Sequence, residues 1–241
     1  MNPDRIQQSH ARPLSLLCMG DSITDGFLLS GGYRNTLCAL LEQNGLAGRV
    51  RLIGPNCSGT GYSPFHAGFT GFAVEPIAEA DSATGARDGI LPLVPSVAAR
   101  FPADVIFLMI GTNDILSRYD LPRFGERLRR LTDALLDAHA ACKALCLATL
   151  PAIDGAVCPY VNPQCYPADA VDRAVADCNA QITALAAAYR TAGRPVRLAD
   201  IHGALTKDDL QDGVHPSAAG YEKIGRFWFR LLTALPAFSA I

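Results

Sequence analysis

Ser22, in the stretch "CMGDSITDGF" (residues 18–27), follows an apolar run and a Gly-Asp pair. Gly, Asp and Ser are ordinary turn residues, and a serine can cap a helix that follows it. Chemistry asks for more. A serine hydroxyl becomes a nucleophile only with a base in hydrogen-bond reach, and that base needs a carboxylate to orient it. Of the five histidines, His215 in "DGVHPS" (212–217) has an acid three residues before it, Asp212, a spacing that brings imidazole and carboxylate together in one turn. Attack on an ester carbonyl creates an oxyanion, which needs preorganised donors. The Ser22 N–H, the N–H of a loop glycine and the side-chain amide of Asn113, in "GTND" (111–114), supply three. Glycine suits the loop position because the backbone must come close to the substrate with no Cβ in the way. Gly59, Gly61, Gly68 and Gly71 all lie in one loop.

The other histidines fit the role of base less well. His10 lies in the leader, His139 ends a helix, and His202 has only Asp200 two residues before it. His66, in "HAGFTG" (66–71), reads as a substrate contact or a loop-forming residue, with Phe69 beside it. Each motif also has an ordinary structural reading: Asn113 or Asp114 as a helix cap, Asp212-Gly213 as a turn, Pro216 as the first residue of a helix. Their placement along the chain is what joins them.

Five short β-type runs recur: 14–19, 49–54, 104–111, 144–150 and 195–199. They are nearly continuous in apolar residues, as strands covered on both faces are. Helical patterns occupy 33–44, about 93–100, 122–140, 169–192, and a last stretch from Pro216 to about 234. In the fourth, Val171, Val175, Cys178, Ile182, Leu185 and Tyr189 form one apolar face, ended by Gly193. The alternation predicts an α/β chain with a parallel sheet, a three-layer α/β/α sandwich of five strands. In such sheets ligands bind beyond the carboxyl ends of the strands. Ser22 follows the first strand, "HAGFTG" lies in the excursion after the second, "GTND" follows the third, and "DGVHPS" comes after the fifth. All four therefore belong to one rim. The long connections 55–90 and 151–168 read as walls of a pocket. Residues 1–13 read as a disordered leader, and 14–241 as one domain.

With 21 basic and 23 acidic residues and no long run of either sign, the chain lacks the basic footprint of a nucleic-acid binder. No apolar run is long enough to span a bilayer, and residues 1–13 have no secretory apolar stretch, so a soluble, cytoplasmic chain is expected. The eight cysteines form no Cys-x-x-Cys pair and no zinc spacing. Most read as buried small hydrophobes; Cys158 and Cys165 flank a loop and would bridge only in an oxidising compartment.

Gly20-Asp21-Ser22, a loop glycine, Gly111-Thr112-Asn113-Asp114 and Asp212-x-x-His215, in this order, resemble the SGNH hydrolases, the GDSL-type esterases and lipases. The resemblance spans residues 18–221 and implies a flavodoxin-like sandwich. It implies Ser22 as nucleophile, His215 as base and Asp212 as its partner, with Ser22, Gly71 and Asn113 as oxyanion donors. Gly71 is preferred because "GFTG" matches the family's Gly-x-x-Gly form. Asp21 and Asp114 fall at motif positions that tie the loops. "YRNTLCALL" (33–41), "VRLIG" (50–54) and "HPSAAGYEKIG" (215–225) look like the acetyl xylan esterase and carbohydrate esterase branch, with His66-Ala67-Gly68 where that branch often has His-Glu-Gly. The implied activity is that of a serine esterase working through an acyl-enzyme without metal or cofactor on a small ester such as an acetylated sugar. A lipid acyl hydrolase, lysophospholipase or thioesterase is the alternative, with Phe65, Phe69 and Phe72 lining an acyl channel. A non-catalytic ligand-binding domain is a third reading, opposed by the four ordered blocks. The "GxSxG" elbow of the α/β-hydrolases is absent. Oligomeric state stays open.

Overall fold

The computed structural model describes residues 12–239. The expected leader falls outside them apart from Arg12 and Pro13, as does His10. Arg12 forks onto the Asp104 carboxylate with bonds of 2.7 and 2.8 Å.

Seven strands form: β1 (Leu14–Gly20), β2 (Val50–Ile53), β3 (Asn56–Cys57), β4 (Phe65–Gly68), β5 (Val105–Met109), β6 (Ala144–Ala148) and β7 (Val196–Ala199). Five are those expected, and all five run parallel. The other two correct the five-strand expectation. β4 pairs parallel with β1, and β3 antiparallel with β4. Both lie in the Gly- and Pro-rich excursion after β2 and are too short to carry a period of their own.

One edge of β1 is shared. β2 covers its first half, Leu14↔Val50 to Leu17↔Ile53, and β4 its end, Met19↔Ala67 and Gly20↔Gly68. β5, β6 and β7 follow on the other side. Counting the five main strands, the order is 2-1-3-4-5, the doubly wound arrangement whose ligand crevice opens where the winding reverses, beyond β1 and its neighbour. Ser22 and Thr112 sit two and three residues past the ends of β1 and β5.

Strand alternation divides the core in two. Leu17, Met19, Ile106, Leu108, Leu145 and Leu147 face one cluster; Leu16, Cys18, Val105, Phe107 and Cys146 face the other. The helices are α1 (Ser22–Asp25), α2 (Tyr33–Gln43), α3 (Val94–Arg100), α4 (Thr112–Ser117), α5 (Phe124–Ala138), α6 (Ala168–Thr191), α7 (Ala218–Thr233) and α8 (Pro236–Ser239). α3, α5 and α6 cover the first face, while α2 and α7 cover the second, with Trp228 stacked on Phe107 at 4.1 Å. The last long helix begins two residues after Pro216, because the Ser217 side chain accepts the Gly220 N–H at 3.2 Å and so caps α7.

Candidate active site

The cap of the first turn decides what Ser22 is free to do. Asp21, not Ser22, caps α1, accepting the Ile23 N–H at 3.0 Å. The serine hydroxyl is thereby left without a structural duty in its own helix. Before it, Gly20 is required by packing: a Cβ there would run into the Met109 carbonyl and the Thr24 hydroxyl. Burial raises the Asp21 carboxyl to about 6, against the opposing pull of hydrogen bonds from Ile23 and Thr112 and the charge of His215.

Ser22 Oγ lies 2.9 Å from His215 Nε2, across 193 residues of sequence. His215 Nδ1 lies 2.8 Å from Asp212 Oδ2. The other carboxylate oxygen accepts the backbone N–H groups of His215, at 2.7 Å, and Val214, at 3.0 Å. Burial alone would raise Asp212, but these bonds and the charge of His215 together hold it below the usual carboxylate range. An ionised Asp212 accepts from Nδ1–H, so the Nε2 lone pair is turned to the Ser22 hydroxyl. The loop carrying the pair is itself pinned: the Gln211 N–H donates to the His215 carbonyl at 2.7 Å, and the Ser217 N–H to the Asp209 carbonyl at 2.7 Å.

Asn113 and Asp114 open α4, and their side chains hold the opposite wall. Asn113 Nδ2 donates to the Phe72 carbonyl at 2.8 Å, which fixes the amide plane and leaves its second hydrogen. Asp114 accepts the Val74 N–H at 3.1 Å and the buried Arg127 guanidinium at 3.1 Å. Burial lifts its carboxyl to about 6, with Arg127 the main opposing influence. Between these ties the chain turns at Phe69–Phe72, closed by a 3.2 Å bond, with Gly71 at φ +85° in third position, where a glycine is favoured. Thr70 Oγ1 anchors the turn to Asp25 at 2.6 Å.

Ser22, Gly71, Asn113 and His215 line one cleft of about 90 Å³. Thr70 and Thr112 line it too, with Phe27, Arg87, Leu116, Tyr160 and Val214, and none of these last five was singled out in the sequence. Phe27 stands five residues after Ser22, while Arg87 and Tyr160 come from the two long excursions. Loop length pointed to those segments without distinguishing residues within them. Phe27 packs on the His215 ring at 4.8 Å, and Tyr160 meets it edge-on at 6.2 Å.

Two expected substrate contacts are not in this cleft. His66 is only 1% exposed. Its Nδ1 accepts the Gly68 N–H at 3.1 Å, so Nε2 carries the proton and donates to Ser58 Oγ at 3.1 Å. Burial, with the nearby charge of Arg34, lowers it to about 3. Phe69 stacks on Phe72 at 5.2 Å against the core, and Phe65 points outward. The cleft lining includes none of these three phenylalanines, on which the alternative lipid acyl hydrolase or thioesterase reading placed an acyl channel. His139 Nδ1 accepts the Ala103 N–H, and His202 Nδ1 meets the Leu150 carbonyl, both away from the cleft. All eight cysteines are unpaired, Cys158 and Cys165 included. Among the described residues, no cluster of His, Cys, Asp or Glu could hold a metal ion, and no helix is long and apolar enough to cross a membrane.

Residues 18–223 match the family described as the GDSL-like Lipase/Acylhydrolase family. A multidomain esterase of Ruminococcus flavefaciens is 31% identical over 233 residues, which take in 91% of this chain but only 28% of that protein. Among solved structures, a family 3 carbohydrate esterase from Talaromyces cellulolyticus superposes with a TM-score of 0.71 at 22% identity, covering 95% of this chain and 99% of its own. A Clostridium thermocellum family 3 carbohydrate esterase gives 0.67 at 24%, covering 91% and 94%. These structural likenesses are likenesses of fold.

Proposed function

The chain belongs to the GDSL-like lipase/acylhydrolase family, and from that premise we propose that it is a serine esterase that cleaves short-acyl esters through an acyl-enzyme. The observation that carries this reading is the continuous line from Ser22 Oγ through His215, 2.9 Å to Nε2 and 2.8 Å from Nδ1 to the Asp212 carboxylate. His215 takes the Ser22 proton as Oγ bonds to the carbonyl carbon. The charge that develops on the carbonyl oxygen is met by the Ser22 N–H, the Gly71 N–H and the free hydrogen of Asn113 Nδ2. As the C–O bond to the alcohol breaks, His215 gives its proton to the departing oxygen. Water then attacks the acyl-enzyme, loses its proton to His215, and the acid leaves as Ser22 is reprotonated. Asp212 keeps the imidazole in one tautomer throughout.

Size supports a short acyl group. The cleft of about 90 Å³ is far smaller than the roughly 300–1,000 Å³ of pockets that enclose drug-sized ligands. Phe27 and Tyr160 flank the imidazole that protonates the leaving alcohol, and their flat faces suit a sugar ring there. Turnover of 4-nitrophenyl acetate by the wild type, lost by at least roughly 10³-fold in Ser22→Ala with the melting temperature retained, is the expected result. Equal rates in the two proteins would remove the esterase reading. In a chain-length series from acetate to decanoate, activity is expected to fall with length; a steady rise would overturn the short-acyl assignment.

A further inference from the structure

One cation in the cleft has no place in the mechanism above. Arg87 lines the same cavity as Ser22 and His215. Its Nε is buried and makes no hydrogen bond, and Nη2 donates only to the neutral hydroxyl of Thr84, at 2.9 Å. Among the described residues, no carboxylate comes within 4.0 Å of it. The other arginine deep in this half of the molecule, Arg127, also leaves its Nε without a hydrogen bond, but its charge is paired. It is 3.1 Å from Asp114, 3.7 Å from Glu75, and caps the carbonyls of Tyr119 and Asp120. Desolvated charges in proteins are normally paired in this second way. A guanidinium left half-satisfied at the wall of a reaction cleft is a site waiting for an anion.

The position is preorganised. Residue 87 is fixed by a pair of 2.9 Å backbone bonds with Ile77, and Thr84 is held in turn by Ser117 of α4 at 3.0 Å. Nη1 stands 3.7 Å from where a side chain on Gly71 would begin, beside the oxyanion donors. Tyr160 locates the anion on the alcohol side. It lines the cleft together with Arg87 and packs edge-on against His215, which protonates the leaving group.

We propose that Arg87 is a specificity determinant that binds a carboxylate on the alcohol half of the ester, so that the preferred substrates are acyl esters of acid-bearing alcohols. This rests on the esterase reading of the same site and narrows its substrate class. A charge-assisted pair in a partly desolvated cleft corresponds to roughly a 10- to 100-fold preference.

The test is a matched pair, 3-acetoxybenzoate and its neutral isostere 3-acetoxybenzamide. Wild-type kcat/KM is expected to favour the acid at least about tenfold, less so as salt is added, and the ratio is expected to fall to near one in Arg87→Gln and to an intermediate value in Arg87→Lys. A wild-type ratio near one, or an unchanged ratio in Arg87→Gln, overturns the proposal. Calorimetric binding of both compounds to Ser22→Ala needs no turnover and separates anion recognition from ester hydrolysis. Acid-selective binding that Arg87→Gln abolishes upholds the anion site even if no ester is hydrolysed, and equal binding of the two compounds sinks it even if the esterase reading stands.

Discussion

The carboxylate of Asp212 holds His215 at two points, one oxygen on the ring nitrogen Nδ1 at 2.8 Å and the other on the backbone N–H of the same residue at 2.7 Å. Three residues of spacing make this double grip possible, because the chain doubles back within one turn. The grip fixes both where the imidazole lies and which nitrogen carries the proton.

Asp212→Asn keeps the shape and loses the second function. The amide oxygen can still take the backbone N–H, but the amide nitrogen then faces Nδ1 and drives the ring proton to Nε2, the atom that accepts from Ser22 in the proposed mechanism. A fall in kcat of roughly 10³- to 10⁴-fold on 4-nitrophenyl acetate is expected, with little change in melting temperature. A loss of less than about tenfold would show that the tautomer is not what Asp212 controls.

The same spacing explains why so much of this candidate site is legible in the sequence. Asp212-x-x-His215 is a local geometry, and Ser22 and Asn113 each follow a long, continuously apolar strand whose end is plain in the sequence. The sheet's layers were equally legible, since β1, β5 and β6 are buried along their whole length. What resisted was everything set by long-range closure of irregular chain. β3 and β4 have two and four residues and form only because the returning loop finds the open end of β1. His66 looked like a cleft residue because it lies five positions before Gly71, yet the short strand β4 buries it. Arg87 sits in a loop whose composition says nothing of where its side chains go; the bonds to Ile77 and Thr84 aim it.

Gly71 and Gly20 separate conformation from packing. At Gly71 the space for a methyl group is open, the nearest atom being Arg87 Nη1 at 3.7 Å, but φ is +85°. Gly71→Ala is therefore expected to fold, with a stability loss of about 1–2 kcal/mol from the left-handed backbone. Any relaxation of that strain turns the residue 71 N–H away, and a kcat loss approaching 10²-fold is expected. Gly20→Ala meets backbone directly and should fail to fold. A Gly71→Ala enzyme of wild-type kcat would remove this N–H from the proposed oxyanion site.

His66 gives the molecule an acid-labile element outside the chemistry. Buried and pushed down to about 3, it is neutral in the native state at pH values where the unfolded chain, titrating near 6.5, already takes up a proton. Its contribution is thus complete above pH 6.5 and is lost progressively as the pH falls toward 3, by about 2 kcal/mol at pH 5. Asp21 and Asp114, raised to about 6, act with the opposite sign. Their protonated forms are favoured by the fold, so they add stability as the pH falls from 6 toward 4, and the wild-type profile alone conceals the histidine. His66→Gln isolates it, since the amide can still accept from Gly68 and donate to Ser58. Measured by urea denaturation, the variant should be the less stable protein at pH 7, and the gap should narrow by about 2 kcal/mol at pH 5. A gap that is the same at both pH values would mean that His66 is not held neutral by the fold.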